Sequence, residues 1–198
     1  DDLYAIQSLG FRGEALASMA SVARVFIQSR AEGCPDAMGL EHDEKGTRLV
    51  PCARNQGTTI EVRDLFFNAP VRKKFLKPER QEYQAIEAVL KRVAFSESNV
   101  ALTLSHNGQL RLTLPASPCE QSKRTRLTKL LGKAFVDEAV CLDVVRGQMR
   151  LHGWISGRAY ARSQQDKIWF YINQRMVRDK LVLHALKQAY ASVLPTGR

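Results

Sequence analysis

Ser8-Leu9-Gly10-Phe11-Arg12-Gly13-Glu14-Ala15-Leu16-Ala17-Ser18 places two glycines three residues apart, directly ahead of a run of helix formers. Glycine tolerates the left-handed backbone that turns successive N–H groups inward, and the start of a helix adds positive potential. Such a turn suits the phosphates of a nucleotide. On spacing alone, a tight turn capping a helix is the stronger reading. The pattern predicts a helix over 14–20, and Leu3, Ile6 and Leu9 predict a short helical stripe ahead of it.

Working outward, residues 22–29 are β-branched and aromatic and predict a strand. The polar stretch 30–46, with Gly33, Pro35 and Gly39, predicts a hairpin with a loose connection. Thr58 to Arg63 alternate and predict a strand entered through Gly57. Residues 64–76 form an aromatic and then basic connection through Pro70. Pro78 is placed to open a helix that runs to about Ala94, with Tyr83, Ile86, Val89, Leu90 and Val93 on one face. Asn107-Gly108 between two alternating leucine runs is a strong hairpin signal. A basic helix over 122–131 should end near Gly132. A second hairpin turns at Arg146-Gly147, and a strand covers 168–172. An amphipathic helix spans 179–194, with Val182, Leu186, Ala189, Tyr190 and Val193 facing inward. The best domain boundary lies near Ser96-Glu97-Ser98.

The chain has 198 residues, enough for one large or two small domains, and its 44% apolar and 25% charged residues are ordinary for a globular protein. No apolar run approaches the roughly 20 residues that span a bilayer, so no membrane partner is expected. The N-terminus carries neither a methionine nor a signal pattern and reads as a cut inside a longer protein. The net charge is +10, and it is unevenly spread. Residues 1–119 hold 15 Lys/Arg against 14 Asp/Glu, whereas residues 120–198 hold 15 against 6. That excess favours a polyanionic partner, although a solvated basic surface accounts for the charge alone. Cys34, Cys52, Cys119 and Cys141 form no Cys-x-x-Cys pair, and His42, His106, His152 and His184 are scattered. Neither a zinc site nor a disulfide framework is expected, and a reducing, cytoplasmic compartment is.

The run from Ser8 to Ser18 closely resembles the signature of the MutL family of mismatch repair proteins. Gly57-Thr58-Thr59-Ile60-Glu61-Val62 and Asp64-Leu65-Phe66-Phe67-Asn68-Ala69-Pro70-Val71-Arg72-Lys73-Lys74-Phe75-Leu76 match the next blocks in order. Ser105-His106-Asn107-Gly108 and Asn173-Gln174-Arg175-Met176-Val177-Arg178-Asp179 match later ones, and Gln174 stands where the family commonly has glycine. The resemblance implies an α+β chain: the C-terminal part of a GHKL (Bergerat-type) ATPase domain over 1–97, then part of a ribosomal-protein-like α/β transducer domain over 98–198. It implies that Gly10, Phe11, Arg12, Gly13 and Glu14 belong to the nucleotide lid and that Thr58 contacts the nucleotide, with Gly57 giving room for that approach. The family's catalytic glutamate and magnesium-binding asparagine lie upstream. ATP and Mg2+ would therefore be held mainly outside this chain, with no catalytic or metal-binding residue in it, and Glu14 is no catalyst.

The resemblance also implies a weak ATPase in the intact protein and inactivity of this chain alone. It implies an ATP-dependent clamp or matchmaker working on the bacterial nucleoid as a homodimer or paralogue dimer. Its partners would be DNA, a mismatch-recognition protein and downstream repair enzymes. Lys77 and Lys180 fall where relatives carry arginines implicated in DNA binding, and Arg92, Arg175 and Arg178 complete the expected DNA-binding set. Lysine keeps the charge and loses the bidentate fork, which suffices for phosphate contacts without sequence reading. Two other readings remain. One is a different GHKL ATPase of topoisomerase or chaperone type, which the Phe-Arg inside the glycine turn and the Phe66-Phe67-Asn68 block disfavour. The other is a non-catalytic DNA-binding domain.

Overall fold

The computed structural model describes residues 13–160 and 167–191. By packing, the chain divides into two units, Asp1–Glu79 and Arg80–Arg198. This differs from the boundary expected at 97/98. The long helix α3 (Glu79–Ser96) buries Ala94 against Leu114 and Leu130, so it belongs with the residues that follow it.

Among the described residues the first unit begins with α1 (Ala15–Ala20), the helical stripe expected at Leu3, Ile6 and Leu9 lying outside them, then has four antiparallel strands: β1 (Arg24–Arg30), β2 (Ala37–Asp43), β3 (Gly46–Cys52) and β4 (Gly57–Arg63). Their order across the sheet is β3-β2-β1-β4. The stretch expected as a loose hairpin is therefore mostly strand. The tight reversal comes at Glu44-Lys45, where the Asp43 carboxylate accepts the Lys45 N–H over 2.8 Å. That bond, with Arg48 beside it, holds the Asp43 carboxyl below the usual carboxylate range. Val25, Ile27 and Ser29 face Val62, Ile60 and Thr58 across the β1–β4 pair, so these six share one face of the sheet. Val25 is buried, whereas Ile60 and Val62 are exposed.

Residues 64–76, expected as a plain connection, contain the short helix α2 (Pro70–Lys73) and an anchored turn. Asp64 and Phe66 both take left-handed φ values, +52° and +63°. That costs on the order of 1–3 kcal/mol each and persists only where neighbouring contacts hold it. Those contacts are present. The Phe66 N–H donates to the Val22 carbonyl (2.7 Å), and the Asn68 amide donates to the Ser21 carbonyl (2.9 Å). Arg24 pairs with both Asp64 and Glu44 and stacks over the Phe67 ring.

In the second unit, α3 is followed by the hairpin of β5 (Leu102–His106) and β6 (Gln109–Leu114), turning at Asn107-Gly108 as expected. Next come α4 (Glu120–Leu131) and the unanticipated α5 (Lys133–Glu138), divided by Gly132 at φ +96°. The hairpin of β7 (Ala139–Arg146) and β8 (Met149–Ser156) follows. A hairpin of β9 (Phe170–Ile172) and β10 (Arg175–Val177) then leads to α6 (Lys180–Tyr190). One apolar cluster joins Ala94, Leu114 and Leu130, and a second joins Leu127, Phe135 and Val136, with Phe95 and Leu131 packed against both. The expected inward face of α3 is only partly covered. Ile86, Val89 and Val93 are exposed in this chain while Tyr83 stacks on His106. On α6, Val182, Leu186 and Tyr190 are half-buried and Ala189 is exposed, and Val193 lies outside the described residues.

Candidate functional site

Of the expected lid residues, Gly10, Phe11 and Arg12 lie outside the described residues. Gly13 has φ +66°, with open space where a Cβ would stand. Its glycine is thus required by backbone conformation, since an L side chain at that φ is strained whatever the room. Glu14 precedes α1 in helical geometry and offers no side-chain cap.

Thr58 lies near the start of β4, beside the β1 end, on the same face as Ile27 and Ile60. Its hydroxyl is 2.9 Å from the Ser29 hydroxyl across the strand pair, and both residues are exposed. Ser29 carries no motif of its own. Its signal exists only in the pairing register, which no local pattern reveals. Gly57 has φ +122°, and a Cβ there would meet only the Arg54 guanidinium, 3.4 Å away. The expected room beside Gly57 is therefore bordered by Arg54. Because side chains alternate along a strand, this is the face opposite Thr58. Arg54 also donates to the Gln28 carbonyl, and Arg30 donates to the Arg54 carbonyl (3.2 Å) and the Cys34 carbonyl (3.1 Å). These arginines brace one face of the strand ends while the two hydroxyls stand on the other.

The expected DNA-contacting residues fall in both units. Lys77 is exposed in the first, just ahead of α3. In the second, the Tyr171 hydroxyl donates to the Arg92 carbonyl (2.8 Å), and Phe95 stacks on Tyr171. This ties the Arg92 turn of α3 to the β9–β10 hairpin on which Arg175 stands. Burial raises the Tyr171 phenol to about 12, partly offset by the nearby Arg92 charge. Arg178 and Lys180 are exposed and flank Asp179, whose carboxylate caps α6 by accepting the Leu181 (2.8 Å) and Val182 (3.1 Å) amides. Lys180 therefore stands at the positive end of a helix, where its own charge is unfavourable and an anion is favoured. Asn173 and Gln174 both take left-handed φ, +47° and +67°, which is the turn chemistry that explains why glycine suits the second position.

Among the described residues, no group of three or more His, Cys, Asp or Glu side chains is placed to hold a metal ion. Among them, too, no helix is long and apolar enough to cross a membrane. The four cysteines are free thiols.

A family model described as DNA mismatch repair protein, C-terminal domain, matches residues 127–198. The DNA mismatch repair protein MutL of Cellvibrio japonicus is 45% identical over all of this chain, which covers 32% of that relative. The MutL of Azotobacter vinelandii is 44% identical, again over the whole chain and 31% of the relative. The chain thus spans about a third of the length of the curated relatives it matches. Among solved structures, it resembles the Aquifex aeolicus MutL ATPase domain complexed with ADP, at a TM-score of 0.70 and 28% identity, over 98% of this chain and 71% of that one. It also resembles the N-terminal domain of a DNA repair protein, at a TM-score of 0.73 and 26% identity, over 95% of this chain and 62% of that one. The α+β fold is thus that of a GHKL-type ATPase region leading into the mismatch-repair C-terminal domain.

Proposed function

Because the chain belongs to the MutL family of DNA mismatch repair proteins, we propose that it is the part of an ATP-dependent repair clamp that joins nucleotide binding to DNA binding. The observation that carries the nucleotide half is Thr58. Its hydroxyl is exposed at the end of an apolar sheet face, and the chain shares its fold with an ATPase domain solved with ADP. Gly10 to Glu14 are assigned by their motif to the nucleotide lid, and Gly13 supplies a left-handed turn there. When bound, ATP and Mg2+ supply the phosphoryl chemistry. This chain's own residues bind and orient and do not catalyse, and residues of the intact protein outside this chain provide the general base and the metal ligands.

The DNA half rests on surface charge, exposed at Lys77, Arg178 and Lys180 and half-buried at Arg92 and Arg175. Arg178 and Lys180 flank a helix start, Arg92 and Arg175 stand on the joined α3 and β9–β10 elements, and Lys77 adds a cation from the first unit. Phosphate contacts need charge rather than base reading, so binding is largely indifferent to sequence. The intact protein acts as a homodimer or paralogue dimer on the nucleoid, between a mismatch-recognition protein and downstream repair enzymes. The test is steady-state ATP hydrolysis by the intact protein and by residues 1–198 alone. Slow turnover by the intact protein and none by the piece is expected. Turnover by the piece would place the general base inside it and overturn the division of roles.

A further inference from the structure

Thr58 is hydrogen-bonded before any ligand arrives. Its Oγ1 is 2.9 Å from Ser29 Oγ, in register across β1 and β4. A threonine hydroxyl has one proton and two lone pairs. If Ser29 donates into Thr58, the Thr58 proton is free for an acceptor on a ligand. If Thr58 donates into Ser29, only its lone pairs remain. The direction of this bond therefore decides what Thr58 presents outward: with Ser29 donating, the Thr58 proton faces an acceptor such as the N1 of adenine, where guanine carries N–H.

The surroundings indicate what is being read. The hydroxyl pair ends a face made of Val25, Ile27, Ile60 and Val62. The arginines at these strand ends, Arg30 and Arg54, are engaged with backbone carbonyls, and Arg54 borders Gly57 on the opposite face. An apolar surface ending in two neutral hydroxyls suits the flat face and polar edge of a heteroaromatic base. It does not suit a triphosphate, which needs cations or aligned amides.

We infer that Ser29 is a positioning residue for base recognition, orienting the Thr58 hydroxyl toward the edge of a purine so that the site distinguishes adenine from guanine. This rests on Thr58 contacting the nucleotide, as proposed above. Ser29 itself makes no contact with the ligand. It acts through Thr58, so removing it withdraws one hydrogen bond's worth of orientation.

The test is equilibrium binding of Mg-ATP, with Mg-GTP measured by competition, to the intact protein and to its Ser29→Ala, Ser29→Thr, Thr58→Val and doubly substituted Ser29→Ala/Thr58→Val forms. Ser29→Ala should weaken ATP about three- to tenfold, the equivalent of one hydrogen bond, and leave GTP and the nucleotide-free melting temperature nearly unchanged. Ser29→Thr should restore ATP binding, and the double form should bind no more weakly than Thr58→Val. Equal weakening of ATP and GTP would make the contact one with phosphate and overturn the inference. So would ATP binding untouched by Ser29→Ala while Thr58→Val weakens it, or effects that multiply in the double form. If Thr58→Val itself leaves ATP binding intact, the nucleotide contact at Thr58 fails, and the inference fails with it for that separate reason.

Discussion

The Arg126 guanidinium, only 3% exposed, donates from Nε to the Ala94 carbonyl over 2.9 Å. Its other nitrogens donate to the carbonyls of Pro115 (2.7 Å) and Glu97 (3.2 Å). One side chain of α4 thus satisfies carbonyls at the end of α3 and just after β6. Burial lowers the guanidinium's pKa from its ordinary value, yet an arginine so placed keeps its charge, because the carbonyls at a helix C-terminus carry partial negative charge.

Arg126→Met should therefore destabilise the second unit by about 3 kcal/mol, because buried carbonyls lose their donor. Arg126→Lys should recover little, since one ammonium cannot span three divergent acceptors. Urea denaturation followed by tryptophan fluorescence measures this, because Trp154 packs on the cluster that contains Leu127. A shift below about 1 kcal/mol for the methionine form would mean that water replaces the guanidinium freely.

Gln174 holds φ +67° in the two-residue turn between β9 and β10. Gln174→Gly should raise stability by about 0.5–1 kcal/mol, the relief of left-handed strain outweighing the added freedom of the unfolded chain. Gln174→Val should lower it by more than about 1 kcal/mol, because a β-branched residue resists that conformation. Thermal melts of both forms check the pair of signs. A stabilising valine would remove the strain explanation.

Tyr171 is raised to about 12 by burial, from an ordinary value near 10. The folded chain thus holds the phenolic proton more tightly than the unfolded chain does. Its contribution to stability is fully present below pH 10 and is lost as the pH rises from about 10 to 12. Ultraviolet titration should show one late phenol, absent in Tyr171→Phe. The Phe form should also lose less stability across that window than the parent. A parent titration with no step later than the ordinary phenol range would place Tyr171 among the exposed tyrosines.

Much of this architecture is legible in local pattern. The Asn107-Gly108 turn, the Gly132 helix stop and the start of α6 at Asp179 all carry their signal within a few residues. Pro51 and a polar start hide β3. Its three-residue length hides β10, and α5 is hidden by lying directly after another helix. The place of α3 in the second unit depends on Ala94 meeting Leu114 and Leu130, which are distant in sequence. At the candidate site, Thr58 is marked by its motif, whereas Ser29 becomes visible only through strand register. Arg54 beside Gly57 likewise requires three dimensions.

Charge reversal at Lys180 should weaken DNA binding about equally across sequences. It should also lessen the salt dependence by roughly one unit of slope for each phosphate no longer neutralised. Asp179 caps α6 independently of the Lys180 side chain, so the fold should survive. DNA affinity over a salt series for Lys180→Glu and the parent is the measurement. Coincident curves would leave Lys180 a solvated surface residue.

If one chain joins nucleotide binding to DNA binding, the DNA affinity of the intact protein must respond to a non-hydrolysable ATP analogue. A coupled clamp should bind DNA at least about fivefold more tightly when the analogue is present, the lower end of ordinary coupling between sites. By the same linkage, DNA should tighten nucleotide binding by the same factor. Thr58→Val should require more analogue for the same gain while keeping the nucleotide-free DNA affinity. DNA affinity that ignores the analogue at saturation would refute the coupling, leaving two binding activities on one chain with nothing joining them.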